Sequence, residues 1–430
     1  MAPVYDPRTV HNGRMSSIAG ENWARNYSYT AAELARPGSV AEVQRIVAAS
    51  RSVRALGSRH SFNDLADTVG TLVSLENLDV ETVIDEASAT VTVAGGARYG
   101  DVATTLQAAG WALHNLASLP HISIAGAVAT GTHGSGDRNG NLASAVAAVE
   151  LVTADGELLT VRRGESDFDG AVVSLGALGI VTRVTLDIEP TFDVRQDLYD
   201  DLPWSAVLGD LETVTSSAYS VSLFTDWLGD TIGTTWIKSR ADAAAPPESI
   251  LGAVRQATGR HMLPDQPVTN VTEQGGVLGP WNDRLAHFKL GFTPSNGDEL
   301  QSEYLVPRRN AVAALEAVRS LGARIAPLLY ITEVRTMRAD SLWLSGAFET
   351  DAVGIHFTWK PLESEVRALL PDIEALLLPL RARPHWGKVF TAERDSLAGL
   401  YPKLGEFREL AGRLDPERKF GNAFLERTVY

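Results

Sequence analysis

Apolar positions in the first part of the chain recur with two periods, one near 3.6 residues and one near 2. Val43, Ile46 and Val47 follow at helical spacing behind Ser39-Val-Ala-Glu42, a capping-box pattern in which serine and glutamate satisfy the first free N–H groups, so a helix is expected there. It ends before a short apolar strand, Val53-Arg-Ala-Leu56, and Gly57 then turns the chain. Further strands are expected at 71–75 and 90–94, then the pair Gly95-Gly96 and a helix from about 99 to 109. Residues 146–161 read as a hairpin around Ala154-Asp-Gly-Glu157, and 180–188 as a strand closed by Glu189-Pro190.

Beyond Pro190 the segments are longer and less regular, with a loop at Ala243-Ala-Ala-Pro-Pro247, which predicts a second domain. Its clearest signals are a helix over 310–321, strands over 328–336 and 352–359, and a long apolar helix pattern over 366–380. Strands flanked by helices predict an antiparallel sheet backed by helices, and the whole chain reads as α+β.

The 430 residues are 44% hydrophobic and 21% charged, ordinary globular values. The formal charge of −15 argues against nucleic acid or an anionic membrane, both of which need a basic patch, and suits a neutral substrate. With no cysteine there is no disulfide, thiolate nucleophile or iron–sulfur cluster, so redox chemistry would need an organic cofactor or a metal held without cysteine. The N-terminal MAPVYDPRTVHNGR has no apolar run long enough for a signal peptide, and no window approaches a membrane span; a cytoplasmic protein is expected. His114, His261 and His287 lack metal-ligand spacing and no HExxH occurs, so no metal is expected.

The run from Ser118 to Gly136, SLPHISIAGAVATGTHGSG, combines four glycines and several alanines with few large side chains. Backbone N–H groups with small flanks can surround a diphosphate without a lysine. The run is neither a P-loop, since Thr132-His133 stands where Lys-Ser/Thr is required, nor a dinucleotide fingerprint, since Asn139 stands where the third glycine would be. On pattern alone, a buried small-residue loop accounts for it equally well.

In the second domain, Glu333 and Arg335 are two residues apart on one strand and His356 and Thr358 two apart on another, so each pair shares a face. In one sheet they would form a polar floor. Burying it costs several kcal/mol unless the charges pair or meet a polar ligand. Alternation alone also allows a polar face turned to water.

Taken in order, Arg54-Ala-Leu-Gly57-Ser58-Arg59-His60-Ser61, Gly95-Gly-Ala-Arg-Tyr-Gly-Asp101, the SLPHISIAGAVATGTHGSG run, Ser174-Leu-Gly-Ala-Leu-Gly179-Ile-Val181, TEVRT (332–336), IHFTW (355–359) and His385-Trp-Gly-Lys388 resemble the vanillyl-alcohol-oxidase-type flavoproteins, and within them the alditol oxidases. The resemblance runs from Asn22-Trp23 to Asn422-Ala-Phe424. It implies a two-domain fold: an FAD-binding domain over 1–190, a substrate domain built on an antiparallel sheet over 191–400, and a segment over 401–430 returning to the FAD domain.

It also implies FAD joined covalently to His60. The cofactor would be held by Gly57, Ser58, Arg59, His60, Ser61, Ser118, Ser123, Gly126, Thr130, His133, Gly134, Gly179, Ile180 and Val181. A polyol would be bound by Ser118, Glu333, Arg335 and Thr358, with His356 as base and Lys388 assisting. The implied reaction oxidises a terminal primary alcohol of xylitol, sorbitol or a related alditol to an aldose, with dioxygen reduced to hydrogen peroxide, in a monomer. His121 is as consistent with a structural role as with a flavin contact, and Trp343, Trp359 and Trp386 are expected to pack. An aldonolactone oxidase of the same superfamily and a non-catalytic flavin-binding protein are the competing readings.

Overall fold

The structure, a computed structural model, describes residues 18–263, 266–292 and 298–430. The N-terminal segment read above for a leader, 1–14, lies outside the described residues.

The first half carries two larger sheets and a two-stranded one. A parallel one orders Glu33–Ala35, Thr71–Ser74 and Val53–Leu56. An antiparallel one orders Val83–Asp85, Thr90–Ala94, Ile180–Asp187, Val146–Val152 and Leu158–Arg162. The expected cap forms with one change of partner: Ser39 Oγ accepts from the Glu42 N–H at the head of Val40–Ala49, while the Glu42 carboxylate accepts from Gly38 N, one residue before the cap. Tyr99–Ala108 and the short helix Ile124–Ala129 bury Leu106, Ile124 and Val128 against Val91, Val93 and Val184. Phe407, Leu410, Phe424 and Leu425 of the C-terminal helices Leu404–Leu414 and Ala423–Thr428 enter the same core. Glu189–Pro190 still pairs with Trp111–Ala112, and the next sheet begins at Asp193.

That second sheet has ten strands, of which the sequence pattern gave only two. At its centre lie, in spatial order, Thr231–Arg240, Ser220–Thr225, Leu329–Met337, Ala352–Trp359 and Leu300–Pro307, all antiparallel. Alternation sorts their side chains. Val334, Val353, Ile355, Phe357 and Val306 face the helices Ala311–Ser320 and Glu363–Leu377, packing on Leu315, Val318, Val366, Leu370 and Ile373. The long helix ends at Leu377 and tightens into a 3-10 turn, Leu378–Leu380, at Pro379, which cannot donate to a continuing ladder. The opposite face of the sheet carries the polar residues.

Candidate active site

The antiparallel register puts Phe224, Glu333, His356 and Glu303 side by side in one row across four strands. Arg335 lies in the adjacent row, opposite Gly354, and Thr358 in the row on the other side. Gly354 leaves room there: a Cβ would come 3.0 Å from Glu303 Oε1 and 3.4 Å from the His133 ring, a tight fit against both side chains. This polar floor is one wall of a cavity of about 640 Å³, within the ordinary range for small-molecule sites.

Two buried carboxylates organise the floor. Glu303 accepts from Lys388 Nζ at 2.7 Å and from Arg335 Nη2 at 3.5 Å, and His133 Nε2 stands 3.0 Å from its Oε1. Glu333 pairs with His287 Nε2 at 2.6 Å and has Arg335 Nε at 3.6 Å. Burial by itself pushes both carboxyls up, but Lys388 and His133 beside Glu303, and Arg335 and His287 beside Glu333, hold both well below the usual carboxylate range. Arg335 spans the two and donates from Nη1 to Ser118 Oγ at 3.1 Å.

His356 stands between these carboxylates and differs from both. Among the described residues neither of its ring nitrogens has a hydrogen-bond partner, and Nδ1 is 4.0 Å from Glu333 Oε2. Burial first, and then the Lys388 charge, push its pKa well below the ordinary imidazole value, so it is neutral and free to accept a proton. Lys388 is also lowered, by burial.

The opposite wall comes from the first half of the chain. Arg59 adopts a left-handed conformation (φ 64°) and donates to the carbonyls of Ala19 and Glu21, a strained turn that delivers His60 into the cavity. Trp23 stacks on the His60 ring, 5.4 Å between centroids, and His60 Nδ1 is buried without a partner among the described residues. Burial and the neighbouring His121 take His60 down to about 4. The loop after it locks onto the second domain: Asn63 Nδ2 donates to the carbonyls of Trp386 and Lys388, and Phe62 N to Gly387 O.

Of the residues assigned from the resemblance, Gly57, Ser58, Arg59, His60, Ser61, Ser118, Ser123, Gly126, Thr130, His133, Gly179, Val181, Glu333, Arg335, His356, Thr358 and Lys388 all line this one cavity. Two do not. Ile180 is fully buried in a core beside Val53 and Val152, and Gly134 is packed against Asn115 and the Leu116 carbonyl. Both sit in glycine-rich runs whose alternate positions must turn inward. His133 lines the cavity but spends its side chain on Glu303 and on its neighbour's carbonyl, Nδ1 to Gly134 O at 2.8 Å.

Glu303, Gln301, His287 and His385 line the cavity and were missed in the sequence, as were Gly95, Gly96 and Gly176 on the opposite wall. Gln301 and Glu303 had a signal, alternating with Ser302 and Tyr304 in an apolar strand. His121 lies outside the cavity and contacts Leu290 O at 2.8 Å; Trp343, Trp359 and Trp386 pack away from it, Trp359 stacked on Phe357 and Trp386 donating to Leu344 O.

Known proteins match both walls. Residues 31–162 match the FAD binding domain family model, and 296–428 match that of D-arabinono-1,4-lactone oxidase. The chain is 48% identical to alditol oxidase from Streptomyces sp. (strain IKD472 / FERM P-14339), over 95% of this chain and 98% of that protein. The chain belongs to the alditol oxidase family. L-gulono-1,4-lactone dehydrogenase of Mycobacterium tuberculosis, 30% identical over 95% of this chain and 98% of its own length, is a more distant relative. The fold matches cholesterol oxidase from Brevibacterium sterolicum with a TM-score of 0.78 over the full length of both chains, at 16% identity. Like other members of the alditol oxidase family, the protein is thus an FAD-dependent oxidoreductase.

Proposed function

We propose that the protein oxidises the terminal primary alcohol of an alditol such as xylitol or sorbitol to the aldose, reducing dioxygen to hydrogen peroxide. The observation that carries this reading is the neutral, unpartnered imidazole of His356 set among two ionised carboxylates and a guanidinium on the cavity floor. Polyol hydroxyls are donor and acceptor at once, so a row of alternating acidic and basic groups can hold them without a net charge on the substrate.

FAD fits the opposite wall, which offers the small residues Gly57, Ser58, Ser61, Ser123, Gly126, Thr130, Gly179 and Val181, and a His60 Nδ1 that has no partner among the described residues. Covalent attachment at His60 supplies a use for that nitrogen, which is otherwise an uncompensated buried polar atom. When bound, FAD supplies the hydride acceptor and afterwards returns two electrons to dioxygen.

The chain's own residues do the rest. Glu333 and Arg335 bracket the hydroxyls, and Ser118, fixed by Arg335, and Thr358 extend the contact. His356 takes the proton from the hydroxyl oxygen as the hydride leaves the carbon, so the alcohol loses two electrons and two protons overall. Lys388, although paired with Glu303, lowers the cost of alkoxide character at that oxygen. The FAD-binding half over 1–190, the substrate half over 191–400 and the returning segment over 401–430 divide these tasks, in a monomeric cytoplasmic enzyme.

The test is an aerobic panel of xylitol, sorbitol, mannitol and glycerol with peroxide detection, run beside aldonolactones and aldoses. Peroxide from alditols and none from lactones is expected. Turnover of lactones alone would replace this reading with that of an aldonolactone oxidase, and no turnover with a full complement of flavin would leave a flavin-binding protein.

A further inference from the structure

Lys238 is a buried lysine for which the reaction above has no use. It lies on Thr231–Arg240, and the register running from Thr234 through Phe224 to Glu333 places it on the same side of the sheet as the cavity floor, outside the cavity itself. Its Nζ donates to Leu285 O at 2.7 Å, to Ala286 O at 2.9 Å and to His287 Nδ1 at 3.2 Å. Three acceptors take all three N–H bonds of an ammonium, which has no lone pair with which to accept.

That donor set determines the state of His287. Its Nδ1 is the acceptor, the ring proton sits on Nε2, and Nε2 is the atom 2.6 Å from Glu333 Oε1. Phe224 and Trp236 hold the ring edge-on. The same short loop donates two backbone N–H groups, from His287 and Phe288, to the carbonyl of Ser118, whose hydroxyl accepts from Arg335. One ammonium thus sets both an imidazole tautomer and the seat of a loop that touches two polyol-binding residues.

We propose that Lys238 and His287 form a buried positioning relay that fixes the His287 tautomer and thereby turns the ionised Glu333 toward the polyol. The identity of the bound ligand rests on the alditol reading; the relay itself does not. Burial draws Lys238 down to about 7, opposed by Glu333 and reinforced by Arg335 and Arg284, while His287 is drawn to about 4, again by burial. The ammonium is complete below that pH and is lost as pH rises through it. KM for xylitol therefore rises on the alkaline side.

The experiment uses the flavin-loaded enzyme, the variants K238M, H287L, H287Q and E333Q, and the double variant K238M/H287L. K238M and H287L should each raise KM for xylitol roughly tenfold with kcat within about threefold, and K238M should lose the alkaline limb of KM. H287Q, whose amide can donate to Glu333 and accept from Lys238, should recover most of the loss. The second readout needs no substrate: the Glu333 carboxylate stretch, isolated as the infrared difference between wild type and E333Q. Lys238 also acts on Glu333 through space, so the signature of the relay is a K238M shift of that band in the H287L direction that is not repeated when K238M is made in the H287L background.

A K238M enzyme with wild-type KM, alkaline limb and Glu333 band overturns the relay. If K238M does not accumulate, H287L behaving as H287Q does in both readouts overturns it as well. If the wild type oxidises no alditol, the infrared comparison still decides the relay while the substrate reading falls.

Discussion

Lys388 reaches the cavity already paired: its Nζ lies 2.7 Å from Glu303 Oε2, on the strand beside His356. A lone buried ammonium would be costly and would lose its proton readily, whereas this one keeps a carboxylate next to it. Glu303 in turn has the Arg335 guanidinium besides Lys388, and the His133 ring 3.0 Å away. The site is therefore a lattice of mutually dependent charges, and removing one member changes its neighbours as well as the substrate contact.

Glu303 should be the most sensitive member. E303L leaves Lys388 buried without its partner, which is expected to cost about 3–5 kcal/mol of stability, while the double variant E303L/K388M recovers a large part of it. Chemical unfolding of the four proteins of that cycle measures the coupling. Additive effects of the two substitutions would show that the pair is not coupled.

Glu333 and Arg335 should act on substrate far more than on cofactor. E333Q and R335A are each expected to cost roughly 1–3 kcal/mol in kcat/KM for xylitol or sorbitol, with flavin content near wild type. Unchanged kinetics in both would place the polyol elsewhere in the cavity.

The sequence made one part of this lattice legible and hid another. Glu333, Arg335, His356 and Thr358 were visible because strand alternation puts residues two apart on one face, and the structure brings both pairs onto one floor. Neither Lys238 nor His287 could be seen: the partners of Lys238 lie 47 to 49 residues away on the segment that carries His287, and Glu333 lies 46 residues beyond His287 on its own strand, and local periodicity carries no record of such contacts. Pairing of strands such as Asp193–Pro203 with Thr231–Arg240 was hidden for the same reason, since non-local register is set by tertiary packing. Ile180 and Gly134 do not line the cavity, because a motif names a run of residues and only some of their side chains can face it.

Flavin should remain on the polypeptide after denaturation. A fluorescent band in a denaturing gel and an intact mass raised by one flavin are expected for the wild type, and neither for H60A. Complete release of flavin from denatured wild-type protein would exclude the His60 linkage.

Acid should destabilise the folded protein before its carboxylates titrate. His287 and His385 are held by burial at about 4 and about 3, below the ordinary value of 6.5. The unfolded chain thus takes up their protons first, and stability that is complete above about pH 6.5 is lost progressively as pH falls toward 4. Thermal unfolding followed from pH 7.5 to 4.5 should show a falling Tm, with a shallower slope in H385N. A Tm constant over that interval would mean that these rings are accessible to protons in the fold.

His356 gives the sharpest test of the chemistry, because its ring nitrogens have no partner among the described residues and burial keeps the imidazole unprotonated, which leaves a lone pair open to the hydroxyl proton. As the base for the hydroxyl proton it should contribute roughly 10²–10⁴-fold to the step in which substrate is oxidised. Return of electrons to dioxygen does not draw on that proton. H356A should therefore slow flavin reduction by xylitol under anaerobic stopped-flow conditions while leaving reoxidation by air much less affected. H356Q distinguishes base from spacer: an amide restores hydrogen bonding to the hydroxyl without accepting its proton, so it should recover binding but not rate. Reduction of H356A by xylitol at the wild-type rate would remove His356 as the base and transfer that role to Lys388 or to a bound water.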